Sequence, residues 1–538
     1  MPRATKPVAT VLGLVVFAAF VAFPLVGAPP VVRIAPILLF GAIVVALTSR
    51  PWAWTDADWA AVADWSPSAR VVRIAAVLLG LTLFWFVLTR FRSGGINAID
   101  FTVYYDRPNF QTLLGHPLFI ESGDDPVRAY RTYFAVHAHW IMLPMAAFYF
   151  LWPSPLWLLG LSVLAVVAGA IYIFRIVQDT GAGGPLASAS ALAFALNDNT
   201  ARTLNYGFHT EVLYAWFVPW LIYAGLSRRW KQFAMAAVLC ISVKEDAFLV
   251  LLAVAVALLL VGGERLTRFE RFVYVPAPIA FALLNLAVYF GAIVPRLSAT
   301  GAPFYANYWG NFGPTTTSAA VGMLLHPLLV ASLVLRSGFW TLVITPHLYL
   351  PLAGWRWSVG ALPVVVLYGA SANDQLRSFG IYYAIVLVPF LVLGAASGAA
   401  WLAERVRTHR HMARVIAAAA VAAGSLLPSI STGGYSLRPW RPETAEVATV
   451  LQQLKDEPAV LVQSGLYPHA GYEPRVQLLT KESLGDDRYA GAAIVLAPAL
   501  SAYPMDDSPE LKTLTERPTI RSPANGVIVV RNPVSRSP

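Results

Sequence analysis

"AAVLCISVKEDAFLVLLAVAVALLLV", residues 236–261, sets three consecutive charged residues, Lys244, Glu245 and Asp246, between two apolar runs. Each run is apolar enough to enter a bilayer as a helix. From Lys231 to Lys244 there are thirteen steps, about 20 Å at 1.5 Å per helical residue, whereas a hydrocarbon core is about 30 Å thick. The triplet is therefore expected below the outer surface. A charge at that depth costs on the order of a few kcal/mol or more unless it is paired or faces water, so it marks either a functional site or an internal ion pair. In the second case Lys244 neutralises Glu245, Asp246 or a neighbouring helix and only fixes packing.

The rest of the chain has the same character. Of its 538 residues, 57% are apolar and only 13% charged, with a mean hydropathy of +0.60; soluble domains average about 45–50% and 25%. Thirteen spans are expected, at 8–27, 31–48, 71–90, 156–175, 184–198, 211–226, 232–243, 246–262, 272–292, 338–352, 357–371, 378–400 and 412–429. The opening "MPRATKPVATVLGLVVFAAFVAFPLVGAPP" has the basic start of a signal peptide, but its long apolar run and the second run right behind it read as an uncleaved first span. Two further apolar stretches, 132–152 and 319–335, read as helices lying at the outer surface or dipping in from it.

Orientation follows from basic residues, which accumulate in short cytoplasmic loops. With the N-terminus inside, the cytoplasmic segments hold Arg3 and Lys6; Arg50, Arg70 and Arg73; Arg175; Arg228, Arg229 and Lys231; Arg265, Arg268 and Arg271; Arg356; and Arg405, Arg407, Arg410 and Arg414, seventeen in all. Outer segments are longer and carry fewer. Three regions result: 1–70, with two spans and a cytoplasmic loop; 71–429, a transmembrane region with a first outer loop at 91–131; and 430–538, outside. That tail alternates the amphipathic "ETAEVATVLQQLK" with the strand-like "AVLVQS", "RVQLLT", "AAIVLA" and "GVIVVR", and reads as a small α/β domain. The fold class is a polytopic helical membrane protein with this small extracytoplasmic α/β domain.

The formal charge of +10 is scattered over loops rather than gathered on a soluble face, which argues against nucleic acid. Cys240 is the single cysteine, so neither a disulfide framework nor a thiolate metal site can be built. No G-x-G-x-x-G after a strand, no Walker motif and no G-x-S-x-G occurs, leaving nucleotide binding and a serine nucleophile without a signal.

Polar residues recur at the expected outer helix ends: Asp100 and Asp106; His137 and His139; "NDNTARTLNYGFHTE" with Asp198, Arg202, His209 and Glu211; and "SANDQLRSFGIYY" with Asp374, Arg377, Tyr382 and Tyr383. If the helices bundle, these ends converge on one recessed, outward-facing polar cavity. Carboxylates there suit general-base chemistry, and arginine forks match phosphate oxygens. The "HAH" pair reads either as metal ligands or as hydrogen-bonded histidines, since i and i+2 diverge on a helix. The aromatic loop "PRLSATGAPFYANYWGNFGPTTTS" fits sugar or lipid stacking, or an interfacial belt.

Taken in order, "AIDFTVYYDRPNFQTLLG", "YRTYFAVHAHWIMLPMAAFYFLWPSPLWLL", "LNYGFHTEVLYAWFVPWLIYA", "SVKEDAFLVLLAV", "SFGIYYAIVLVPFL" and the tail's "VQSGLYPHAGYEPRVQLL" resemble domain-of-unknown-function family 2079 of membrane proteins, over about residues 90–500. That family has Phe-Asp where Ile99-Asp100 stands and His-Tyr where Tyr382-Tyr383 stands. It is in turn similar to the GT-C class of membrane glycosyltransferases, which take sugars from polyprenyl-phosphate donors on the outer face and place an acidic residue at the start of the first long outer loop.

The resemblance implies a GT-C-like fold and sugar transfer to an envelope glycan, lipid or protein acceptor. Asp100 would be the general base, and Lys244, Arg202 and Arg377 would bind the donor phosphate. Asp106, His137, His209, Glu211, Glu245 and Asp246 would shape the pocket or hold a divalent cation, Mg or Mn. The rival readings are a lipid or solute transporter, whose recessed charges form a substrate and proton site, and a structural envelope protein.

Overall fold

The computed structural model describes residues 55–121, 132–298, 301, 305–406, 408–520 and 525–532. The first two expected spans, with Arg3, Lys6 and Arg50, lie outside the described residues. The fold is mostly helical, with one small sheet near the C-terminus.

Five helices among the described residues are long and apolar enough to cross a membrane: Ala69–Arg92, Leu156–Asp179, Ala247–Arg265, Arg268–Leu297 and Arg410–Ser431. Each coincides with an expected span. The other apolar runs are shorter or interrupted. The run expected at 338–352 breaks into a π-helix at Phe339–Ile344, a 3-10 turn at Thr345–His347 and a short helix at Leu350–Ala353. Pro346 and Pro351 lie at these breaks, where a missing N–H and a fixed φ disfavour a continuous helix. The stretch expected to lie at or dip from the surface is two helices, Thr316–Leu325 and Pro327–Leu335, bent by 93°. Leu324 and Leu328 at that elbow are 82% and 86% exposed.

Small residues bring the helices together. A Cβ on Gly169 would meet the Ala215 carbonyl at 2.0 Å, and one on Gly398 the Leu350 carbonyl at 2.3 Å. Backbones can approach this closely only where the side chain is a hydrogen.

The four strand-like runs of the tail form one sheet in the order β2-β1-β3-β4: β1 Val460–Val462, β2 Val476–Leu478, β3 Ala493–Leu496 and β4 Ile528–Arg531. β1 runs parallel to both β2 and β3, and β4 pairs antiparallel with β3. Alternate side chains point to opposite faces. Leu461, Ile494, Leu496 and Val530 form a small separate core. Val460, Val462, Val476, Leu478 and Val495 instead join the core of the helical bundle, together with Val447 and Val450 of the Pro442–Gln453 helix.

The contact runs through the first loop. Arg107 bonds the Gly471 and Glu473 carbonyls and pairs with Glu121 at 2.8 Å, and Glu121 also accepts from Gln477. Phe110 stacks on Tyr472 with ring centroids 4.3 Å apart. The tail is thus seated on the loop rather than hanging from a linker.

Candidate functional site

The Ala69–Arg92 helix ends because Gly94 takes φ +65°, a left-handed conformation that only glycine adopts without strain. Asn97 follows, and its side-chain oxygen accepts from the backbone N–H of Ile99 at 3.0 Å and of Asp100 at 3.3 Å. The chain then winds into a π-helix, Ile99–Asp106, whose first turn carries Asp100. π-Turns are rare and frequently found at functional sites.

Asp100 is half-buried. Its Oδ2 accepts from the Tyr206 hydroxyl at 2.5 Å and from the Asn97 amide at 3.0 Å. Among the described residues, Oδ1 accepts no hydrogen bond. Burial holds the Asp100 carboxyl above the ordinary range; the Tyr206 hydrogen bond works against this, and Glu211 adds to it. Tyr206 reaches Asp100 because Asn197 caps the Asp198–Asn205 helix and Gly207, at φ +97°, turns the chain sharply after it. A Cβ on Gly207 would crowd Ile96 and Phe101 at 3.0 and 3.1 Å.

The charged triplet lies in the turn between the Trp230–Ile241 and Ala247–Gly262 helices. Lys244 pairs with neither sequence neighbour: its Nζ lies 2.8 Å from Glu211 Oε1, with the two side chains only 9% and 5% exposed. Glu245 accepts from the Ala138 backbone N–H at 3.0 Å and meets His137 Nδ1 at 2.8 Å. Asp246 accepts from the hydroxyls of Tyr214 and Tyr368, at 3.3 and 2.9 Å.

His209 lies between the triplet and Asp100. Its Nδ1 is 3.1 Å from the Tyr105 hydroxyl, which itself accepts from Tyr133 at 3.2 Å. Among the described residues, His209 Nε2 is buried with no hydrogen-bond partner. The ring stacks on Tyr382 with centroids 3.7 Å apart. His139 bonds Thr210 at 2.9 Å and the Val243 carbonyl, which is the hydrogen-bonded reading of "HAH".

The structure therefore joins His137, His209, Glu211, Lys244, Glu245 and Asp246 in one buried network and sets Asp100 beside it through Tyr206. Two expected members stand apart. Asp106 accepts from Tyr149 at 2.7 Å and from the tail's Tyr472 at 2.9 Å; burial pushes its carboxyl up to about 6 against the pull of those two hydroxyls. Arg377 pairs with Asp374, itself 85% exposed, in a surface contact of small energetic weight.

Arg202 pairs with Asp198 at 2.5 Å and lines a cavity of about 910 Å³. Asn97 and Tyr206, the two side chains that hold Asp100, form part of that cavity's wall, with Arg90, Arg438 and Arg441.

A divalent cation does not fit this donor set. The Glu211, Glu245 and Asp246 carboxylates are already engaged by an ammonium, a backbone N–H with an imidazole, and two hydroxyls. Among the described residues, no three His, Cys, Asp or Glu side chains converge as metal ligands.

Tyr206, Asn97 and Tyr105 were not singled out by the sequence, although Tyr206 sits inside "LNYGFHTE". Its signal is the glycine behind it, which turns the tyrosine back toward the first loop.

Several apolar helices around a buried charged network define a multi-pass membrane protein. The family model described as "Predicted membrane protein (DUF2079)" matches residues 102–483, and the chain belongs to that family. No curated protein matches it. Among solved structures, ArnT from Cupriavidus metallidurans in the apo state is similar at 11% identity, covering 86% of this chain and 98% of ArnT with a TM-score of 0.45. The arabinofuranosyltransferase AftD from Mycobacteria is similar at 14% identity with a TM-score of 0.43, covering 87% of this chain. This chain spans 40% of the AftD chain.

Proposed function

We propose that the protein is an integral-membrane glycosyltransferase that moves a sugar from a polyprenyl-phosphate donor to an envelope acceptor, with Asp100 as general base. The carrying observation is the asymmetry of that carboxylate. Oδ2 is held by Tyr206 and Asn97, Oδ1 accepts no hydrogen bond among the described residues, and the two holding side chains belong to the wall of a polar cavity. A base must lie within hydrogen-bond reach of the proton it takes and be fixed by a neighbour.

In this reading the acceptor hydroxyl oxygen bonds to the anomeric carbon as the bond from that carbon to the phosphate oxygen breaks. The hydroxyl proton passes to Asp100 Oδ1, and the electron pair leaves with the phosphate. Charge that builds on the phosphate is stabilised by fixed cations. The Lys244–Glu211 pair lies in the buried network that the Tyr206–His209 ring contact joins to Asp100. The orientation follows the basic-residue pattern: N-terminus inside, and the first loop and residues 430–538 outside.

The test compares envelope glycans of a deletion strain complemented with wild type or with Asp100→Asn. Loss of one glycan in the deletion, restored by wild type alone, is expected. Restoration by Asp100→Asn would remove Asp100 as the base. An unchanged glycan profile in the deletion would favour transport or scaffolding.

A further inference from the structure

The cavity beside Asp100 carries more positive charge than its neighbours neutralise. Arg90 lies in the last turn of the Ala69–Arg92 helix, Arg438 and Arg441 lie on the segment leaving the Arg410–Ser431 helix, and Arg202 comes from the Asp198–Asn205 helix. Two carboxylates share the wall. Asp198 is taken by Arg202 and by the Thr432 hydroxyl at 2.6 Å, and Asp506 accepts from the Ala502 backbone N–H and the Ser501 hydroxyl. Among the described residues, the guanidinium groups of Arg90 and Arg438 meet neither a carboxylate nor a hydrogen-bond acceptor, and Arg90 Nε is buried with no partner. Both residues line this cavity, close enough for their charges to act on each other, and Arg438 reaches back over the end of the Ala69–Arg92 helix, where a Cβ on Gly95 would meet its Nη1 at 3.2 Å. Four arginines facing two carboxylates leave the recess net positive, which suits an anion, and the planar fork of arginine matches phosphate oxygens.

The surroundings set the depth of the recess. Trp85 and Trp440 lie with ring centroids 5.8 Å apart, 49% and 52% exposed, and the Arg92 guanidinium sits 5.3 Å from the Trp440 ring. Exposed tryptophans beside an arginine at a helix end are the side chains that settle at lipid headgroup level. The tail closes the opposite wall with Ser464, Leu500 and Tyr503.

We propose that this recess binds the phosphate of a membrane-borne lipid, between Arg90 and Arg438, with the tail as one wall. Arg202 adds a third, partly neutralised charge. The binding stands on its own observations; the clause that this phosphate belongs to the sugar donor rests on the transferase reading.

The test is native mass spectrometry of the full chain in detergent, titrated separately with a polyprenyl monophosphate, the matching polyprenol and inorganic phosphate. Polyprenyl phosphate is expected to bind at least about tenfold more tightly than either other probe, because only it offers both the charge and the chain. Arg90→Gln/Arg438→Gln should weaken that binding by about tenfold or more at an unchanged melting temperature, and Arg90→Lys/Arg438→Lys should retain part of it. Asp100→Asn should bind like wild type while losing transfer. Equal binding by wild type and the double glutamine variant, with both folded, overturns the proposal. So does polyprenol binding as well as its phosphate, and inorganic phosphate binding as tightly as the lipid overturns the membrane-borne source. If the lipid binds and wild type transfers no sugar, the phosphate site stands and the transferase reading falls.

Discussion

Tyr206→Phe removes one oxygen atom and leaves the ring that packs on His209 and Tyr382, with centroids at 5.2 and 5.6 Å. What is lost is the 2.5 Å hydrogen bond to Asp100 Oδ2. That bond stabilises the carboxylate and not the neutral acid, so its removal adds to the upward push that burial already gives Asp100. A base works deprotonated, so activity falls as pH drops through its pKa, and the variant's acidic limb must move to higher pH. A hydrogen bond to a charged group is worth about 1.5–3 kcal/mol. Asp100 is only half-buried, which favours the lower end, so kcat/KM on the acidic limb should fall roughly tenfold. Well above that limb, the variant should approach wild type. The assay is transfer of radiolabelled sugar from a polyprenyl-phosphate donor across a pH series, with circular dichroism as the folding control. A folded variant whose rate drops equally at every pH would refute the argument, because the hydroxyl would then act on something other than the protonation of Asp100.

Lys244→Met strands Glu211 as a buried unpaired charge and should cost about 3–5 kcal/mol; Lys244→Met/Glu211→Gln should recover most of it in thermal unfolding, and no recovery would point to a ligand-binding role for the lysine. Asp106, raised to about 6 by burial, holds more protons folded than unfolded between its ordinary pKa and that value. Its contribution to stability is therefore full at low pH and lost as pH rises through about 6. Asp106→Asn should flatten this dependence and stabilise the protein at pH 8 by up to about 3 kcal/mol, and a wild-type melting temperature that climbs from pH 5 to 8 at the same rate as the variant's would contradict it. Gly169→Ala forces a methyl to within 2.0 Å of the Ala215 carbonyl, so the helices must separate at a cost of about 1–3 kcal/mol; an unchanged melting temperature would show that the contact yields freely.

The long spans were legible because a helix of 20 or so apolar residues needs no partner to declare itself. The runs at 338–352 and 357–371 were not, because apolar composition alone does not separate a straight helix from one broken by proline, π-turns and 3-10 turns that neighbouring helices stabilise. The tail's strands were read correctly from their β-branched runs. What the runs concealed is that one sheet face belongs to the bundle core, since period-two burial on both faces looks the same whichever partner covers it. The triplet's place between two apolar helices was legible, but Lys244's partner, Glu211, lies 33 residues away and no local pattern names it. For the same reason Arg90 has no local signal: an arginine at a helix end reads as a charge at the membrane edge, and only the fold brings it to the same cavity as Arg438, on which the proposed phosphate site rests.

The seating of the tail on the first loop carries a consequence for how the protein comes into being. Asp100 and its π-turn are synthesised early, whereas Arg438, Ser464 and Tyr503, which close the recess, arrive only with the last fifth or so of the chain. When residues near 430 are still being added, the proposed base has been made but not the wall of the cavity beside it. A prematurely terminated chain therefore lacks the wall that Ser464 and Tyr503 supply to this cavity, and the proposed lipid-phosphate site is complete only once the tail is in place.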